Sequence, residues 1–311
     1  MLTAAEIINN ALSAGVAVPA FNIPHLPMIR PIVQAVVAQD AFAFIAVARP
    51  DWMKGSAGSP AAVHAEYTKW HDPDHVRLHL DHVPVIDEDD REVDYLAIIA
   101  EALELGYHSV MVDGSRLVLQ ENIEATRRAV GLAHAAGVAC EAELGRVLGH
   151  EAGPLPPYEE FFESGQGFTD VEEARRFVRE TGCDWLSVAI GNVHGPLSDA
   201  LKDKEKVKAR LDLERLTELH QATDIPLVLH GGSGIPREYV LQAMKHGIAK
   251  INIATEVRQT YERTLAESGR EANAEEALHA HVCRLIGEYY GLAGIRQLVA
   301  PAAPQQGEYP Q

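Results

Sequence analysis

The sequence predicts an α/β protein folded as a TIM (β/α)8 barrel, a single domain with a C-terminal helix extension. Three observations carry that expectation. Eight short, β-rich apolar runs alternate with longer stretches of helical period. Glycines stand where the helical stretches should stop. Acidic, histidine and glycine residues recur at the C-terminal ends of the apolar runs, where barrels keep their reactive groups.

Taken in order, the chain opens on MLTAAEIINNALSAG, a short amphipathic helix without the basic start and continuous apolar stretch of a signal peptide. Strands are expected at 16–23, 42–49, 76–83, 108–115, 138–145, 184–192, 225–233 and 248–255. Helices are expected at 28–40, 93–106, 120–137, 170–182, 212–224 and 236–247. Gly106, Gly137, Gly182 and Gly247 mark helix ends, and Asp170 with Glu173 three residues on has the spacing of a capping box. An open doubly wound sheet usually has fewer strands and a glycine-rich turn after the first one; here the first strand ends in FNIPH. Residues 146–169 after strand five read as a long polar loop, of the kind that forms lids or stays disordered. Residues 196–211 form a second, charged excursion. A terminal helix is expected at 274–290. The barrel takes residues 1–300, and the Pro/Gln-rich 301–311 reads as a frayed tail.

The formal charge of −18 argues against nucleic acid, whose phosphates select basic surfaces. It does not exclude a phosphorylated small molecule, because backbone amides and a metal can make one site locally positive. No apolar run approaches the roughly 18 residues that suggest a membrane span. Cys140, Cys183 and Cys283 form no CxxC pair, so neither a disulfide framework nor a cysteine zinc site is indicated, and a reducing cytoplasm is the expected location.

The strand ends carry the chemistry. His82, His194 and His230 close strands three, six and seven, and three imidazoles are the ligand count of a catalytic zinc site with open positions for substrate. Asp81 precedes His82. A carboxylate there can exchange a proton with a substrate hydroxyl or orient a metal-bound imidazole, and the residue types alone leave both open. Gly231-Gly232-Ser233-Gly234 before Pro236 is a small-residue turn that can offer several N–H groups to a phosphate, beside Asn252 and Thr255 of strand eight. Lys250 lies inside strand eight. A Schiff base on it is a less economical reading than metal catalysis, and a cation at the rim or facing phosphate is the plainer one.

In their order and spacing, HLDH, GYHSVMVDGS, EAELG, TGCDWLSVAIGNVHG, PLVLHGGSGIP and GIAKINIATE resemble the class II, zinc-dependent fructose-/tagatose-bisphosphate aldolases, over about residues 21–264. The resemblance implies that His82, His194 and His230 bind zinc. It implies that Asp81 is the acid/base at the cleaved bond and that Glu151 exchanges the proton on the enediolate carbon. Asp113 and Glu143 match carboxylates that surround the metal and can hold it, or a second cation, in an alternative position. Asn22, Gly195, Gly231, Gly232, Ser233, Asn252 and Thr255 match groups that bind the dihydroxyacetone-phosphate half. The implied activity is reversible retro-aldol cleavage of a ketose 1-phosphate or 1,6-bisphosphate to dihydroxyacetone phosphate and an aldehyde, by a homodimer or homotetramer. A sugar-phosphate isomerase or epimerase and a non-catalytic sugar-phosphate-binding paralogue are the alternatives.

The chain departs from the family pattern around the substrate. Val83 replaces the glycine after LDH, Ala48 the usual Ser or Thr ending strand two, Leu148-Gly149-His150-Glu151-Ala152 the GGxED loop, and Asn192 the threonine before VHG. Arg49, Arg146 and Arg258 are the candidates for binding a second phosphate.

Overall fold

The computed structural model describes residues 1–147, 158–193, 209–232 and 234–301. Eight parallel strands close into a barrel in sequence order: β1 (Val18–Asn22), β2 (Ala43–Ala48), β3 (Val76–Pro84), β4 (Ser109–Asp113), β5 (Ala139–Leu144), β6 (Trp185–Val188), β7 (Leu227–Leu229) and β8 (Ile248–Ile253). Each expected strand is present, shortened by one to several residues at most ends, where the chain turns out of the ladder.

Alternation along the strands divides the core in two. Phe21, Ile45, Leu78, Val110, Leu186 and Ile251 face outward and pack under the helices. Val18, Phe42, Phe44, Trp185 and Val228 face inward and fill the bottom of the barrel. Helix α1 (Ala4–Ala14) plugs that end with Ile7, Ile8 and Ala11, held by a reciprocal Thr3–Glu6 capping box.

The remaining helices are α2 (Ile29–Ala38), α3 (Arg49–Met53), α4 (Pro60–Trp70), α5 (Tyr95–Leu105), α6 (Leu119–Ala135), α7 (Tyr158–Ser164), α8 (Val171–Thr181), α9 (Leu213–Thr223), α10 (Arg237–Lys245), α11 (Thr255–Ser268), α12 (Glu271–Arg284) and α13 (Arg296–Val299). Asp170 caps α8 as expected, accepting from the Glu173 N–H at 2.9 Å. Gly106 and Gly182 end α5 and α8 at φ 90° and 69°, a conformation costly for any residue with a Cβ.

Three stretches depart from the sequence reading. α4 was not expected: it buries only Pro60, Val63 and Tyr67, too narrow a stripe to produce a clear period, although Ser59 capping and Pro60 at the first turn mark its start. The stretch 146–169 is not all loop, since α7 occupies its second half with Tyr158 and Phe161 buried. The terminal helix is the second of a pair. α11 follows β8 directly, Gly269 turns the chain at φ 64°, and α12 runs on through a π turn over Leu285–Tyr289. Residues 302–311 lie outside the described residues, as does most of the excursion after β6. No helix among the described residues is long and apolar enough to cross a membrane.

Candidate active site

The strand ends meet in a cavity of about 510 Å3 whose lining includes Asn22, Asp81, His82, Asp113, His230, Gly231, Gly232, Asn252 and Thr255. His194, Glu151, Gly195 and Ser233, also singled out from the sequence, lie outside the described residues.

Asp81 and His82 are consecutive, so a regular strand would send one inward and the other outward. The β3–β4 ladder instead steps from Leu80↔Val110 to Val83↔Val112, three residues against two. This bulge carries His82 at φ 35°, a left-handed backbone rare for a residue with a Cβ. Asp81 and His82 therefore both reach the cavity while Leu80 and Val83 stay in the outer core. Backbone of this kind persists where the surrounding packing over-determines it, and it clusters at active sites.

Nδ1 of His230 and Nε2 of His82 face each other at 2.5 Å. The opposite nitrogens point at carboxylates: His230 Nε2 lies 2.7 Å from Glu141 Oε1, and His82 Nδ1 lies 3.5 Å from Asp113 Oδ2. Carboxylates behind imidazoles favour the proton on the far nitrogen and turn the near lone pair inward, as in metal-bound histidine. With His82 protonated, its Nε2–H donates to His230 Nδ1, and a bound metal would take the place of that proton between the two rings. Glu143, hydrogen-bonded by the Ser187 hydroxyl at 3.1 Å, stands 4.0 Å from His230 Nδ1. Ligand atoms of Asp81, His82 and His230, and those of His82, Asp113 and Glu143, lie within 4.8 Å of one another. The donors fit a divalent metal of the zinc class.

Charge balance points the same way. Burial pulls His82 down, but Asp81, Asp113 and Glu143 outweigh it and hold the imidazole at about 10. Burial, reinforced by the Asp113 carboxylate, pushes Glu143 up to about 8. Burial raises Asp81 too, yet His82 and His79 overcome it and keep the carboxyl well below its ordinary value, so Asp81 is ionised. The cradle holds more buried carboxylates than cations, the condition a dication relieves.

Beneath the cavity runs a buried polar network. Asn22 Nδ2 donates to Asp81 Oδ2 at 2.7 Å and Asn252 Nδ2 to Asp81 Oδ1 at 2.9 Å, so both carboxylate oxygens are fixed. Lys250 Nζ donates to Asn252 Oδ1 and to Glu141 Oε2, each at 2.7 Å, and the Trp185 indole also donates to Glu141 Oε2, at 2.6 Å. Lys250 is 0% exposed. It is thus neither a rim cation nor phosphate-facing, but the counter-charge in the barrel floor. Glu141 and Lys250 were missed as partners, although polar residues at every second position of HLD, EAE and KIN signal inward-facing groups.

The two sides of the cavity differ. Toward β7 and β8 lie Gly231, Gly232, Asn252 and Thr255. A Cβ on Gly232 would stand 3.0 Å from the Ile251 side chain and 3.3 Å from the Asn252 carbonyl, so the backbone is close-packed there. Toward β2, β3 and β4 lie Ala48, Asp51, Lys54, Ile86, Glu88 and Arg116. Asp51 was not anticipated. Burial pushes its carboxyl up to about 6, against the N–H of Ala48, which donates to it at 2.8 Å. None of Arg49, Arg146 and Arg258 lines the cavity: Arg49 pairs with Asp87 at 3.4 Å and Arg258 with Glu262 at 2.9 Å. The cations on that wall among the described residues are Lys54 and Arg116, which lie in stretches without a family motif.

A closed barrel with paired imidazoles and a fixed aspartate at its C-terminal face has the layout of a TIM-barrel enzyme site. Residues 2–289 match the family model described as fructose-bisphosphate aldolase class-II, and the chain belongs to that family. Among solved structures it is similar to the YdjI aldolase from Escherichia coli K12, at 27% identity and TM-score 0.73, over 94% of this chain and 99% of that one. A Coccidioides immitis protein solved under the provisional name fructose-1,6-bisphosphate aldolase is 27% identical, with TM-score 0.75, over 95% of this chain and 98% of that one. The fructose-bisphosphate aldolase of Campylobacter jejuni shares the fold at 19% identity and TM-score 0.69, over 93% and 94% of the two chains.

Proposed function

We propose that the protein is a zinc-dependent aldolase that reversibly cleaves a phosphorylated ketose to dihydroxyacetone phosphate and an aldehyde. The observation that carries the reading is one cavity holding two facing imidazoles, His82 and His230, beside an ionised aspartate pinned by two asparagines. His194 supplies the third ligand in this reading, and Asp113 with Glu143 offers an alternative cradle for the metal or a second cation. Zinc, when bound, supplies the positive charge that stabilises the carbanion-like three-carbon fragment.

The chain's own residues do the rest. Asp81 takes the C4 hydroxyl proton during cleavage and returns it in condensation. Asn22 and Asn252 hold its carboxylate in one orientation, so the proton transfer needs little reorganisation. Glu151 exchanges the proton on the three-carbon fragment. Gly231 and Gly232 offer backbone N–H groups to the phosphate, with Gly195, Ser233, Asn252 and Thr255 completing that half-site. The enzyme works as a homodimer or homotetramer without nucleic-acid or membrane partners. Its unpaired cysteines, two of them buried, accord with a reducing cytoplasm.

Incubation of zinc-loaded protein with phosphorylated ketoses, followed by detection of dihydroxyacetone phosphate, tests the reading. Release of the three-carbon phosphate, abolished by chelation and restored by zinc, supports it. Interconversion of intact sugars without fragmentation would replace it with an isomerase or epimerase. No turnover at all would leave a binding protein.

A further inference from the structure

The two walls of the cavity differ in the charge they present to a ketose. If the phosphate lies against the glycine turn and Thr255, the other end of the sugar extends past Asp81 toward β2, β3 and β4. That wall carries no spare positive charge among the described residues, since Asp51 and Glu88 match Lys54 and Arg116. Its two cations are already engaged, Lys54 with Glu88 and Arg116 with Asp90 at 2.5 Å. Asp90 lies outside the cavity lining, so Asp51 and Glu88 are the carboxylates set against these two cations on that wall among the described residues.

Asp51 is held in place. It sits one turn beyond the end of β2, where its Oδ2 accepts the Ala48 N–H at 2.8 Å. Asn22, which donates to Asp81 at 2.7 Å, also stabilises the Asp51 carboxylate. The carboxylate is therefore fixed beside the proton-transferring residue and lines the same cavity. Such a group accepts hydrogen bonds from hydroxyls and repels phosphate.

We propose that Asp51 determines specificity, accepting hydrogen bonds from hydroxyls of the aldehyde half and, with Glu88, disfavouring a second phosphate there. The substrate is then a ketose 1-phosphate and the second product an uncharged polyhydroxy aldehyde. This inference rests on the aldolase reading and narrows it.

The test runs in the condensation direction, with dihydroxyacetone phosphate and either glyceraldehyde, as both enantiomers, or D-glyceraldehyde 3-phosphate. The wild type is expected to favour a free aldehyde in kcat/KM by about tenfold or more. Asp51→Asn, which keeps the capping oxygen, and Asp51→Ser should shift that ratio toward the phosphorylated aldehyde by about tenfold, through KM for the aldehyde. Glu88→Gln removes a charge from the same wall without touching the cap and should shift the ratio in the same direction. A wild type that prefers the phosphorylated aldehyde, or variants that change both acceptors equally, would overturn the proposal. Solvent-hydrogen exchange into dihydroxyacetone phosphate serves as the check on the underlying reading. A zinc-loaded wild type showing neither exchange nor condensation would overturn the aldolase assignment, and the inference with it.

Discussion

Replacing Lys250 with methionine probes the barrel floor. The side chain is wholly buried, and its ammonium serves both Glu141 Oε2 and Asn252 Oδ1 at 2.7 Å. Methionine keeps most of the volume and removes the charge, leaving Glu141 anionic and fully buried with the His230 and Trp185 N–H groups, and the His79 ring at 3.6 Å, for compensation among the described residues. Breaking a buried ion pair from one side costs about 3–5 kcal/mol. A domain is stable by only about 5–15 kcal/mol, so the loss is a large share of the total. At about 2 °C per kcal/mol for a chain of this size, the melting temperature should fall by roughly 6–10 °C. Urea unfolding followed by tryptophan fluorescence gives the free energy directly, and Trp185, bonded to Glu141, reports on the site itself.

The second half of the cycle separates packing from ligation. Lys250→Met combined with Glu141→Gln removes both charges and should restore more than half of the lost stability. Zinc affinity should not recover in parallel. A glutamine amide donating to His230 Nε2 moves the imidazole proton to Nδ1, the nitrogen that faces His82. Competition with a chelator would show weaker binding in the double variant by about 10- to 100-fold. A single variant that loses less than about 1 kcal/mol, or a double variant no more stable than the single, would refute the assignment of Lys250 as the essential counter-charge.

Other outcomes follow from the same geometry. Asp81→Asn should lower C–C cleavage by about 100- to 10,000-fold while zinc content stays stoichiometric, measured by coupled assay and metal analysis; retained cleavage would remove Asp81 from its acid/base role. His230→Ala should abolish stoichiometric zinc binding, and a normal zinc content in that variant would count against the ligand set. Asp51 has a raised folded-state value, about 6 against an ordinary 3.8, so folding favours its protonated form and its contribution is lost as pH rises from 3.8 through 6. Asp51→Asn should therefore stabilise the protein above pH 6, by about 1–2 kcal/mol, and change little below pH 4; equal melting shifts at pH 4 and 7.5 would contradict the burial argument. Ile8→Ala, in the plug beneath the barrel, should cost about 2–5 kcal/mol in urea unfolding with no change in KM, and a marked KM effect would mean the plug is coupled to the cavity.

How much of this was legible in the sequence depends on the range of the interaction involved. Strand number and order followed from local period, and the positions of Asp81, His82, His230, Gly231 and Asn252 at strand ends followed from the barrel rule. The Glu141–Lys250 pair did not. Alternation could have turned both side chains inward, but which inward residue meets which across a barrel depends on the strand stagger, a property of the closed sheet. Asp51 was invisible for another reason: it lies in a five-residue helix after β2, in a stretch without periodicity or a family motif. The loop residues His194, Glu151, Gly195 and Ser233 lie outside the described residues, so their reading stands on the sequence alone.

The bulge at Asp81-His82 shows most clearly why local rules stop short. Period-2 alternation forbids two neighbours from sharing one face, and taken literally it would have sent His82 into the outer core beside Leu80. The strand spends one extra residue and one left-handed backbone to escape that rule. In doing so it places the carboxylate proposed to transfer the proton and an imidazole proposed to bind the metal side by side on a single strand, without relying on a loop to bring them together. Val83, where the family pattern has glycine, resumes the outward packing directly after the bulge, so the strain is confined to His82. The departure from alternation and the adjacency of the two reactive groups are thus one structural fact, and the aldolase chemistry proposed here depends on it.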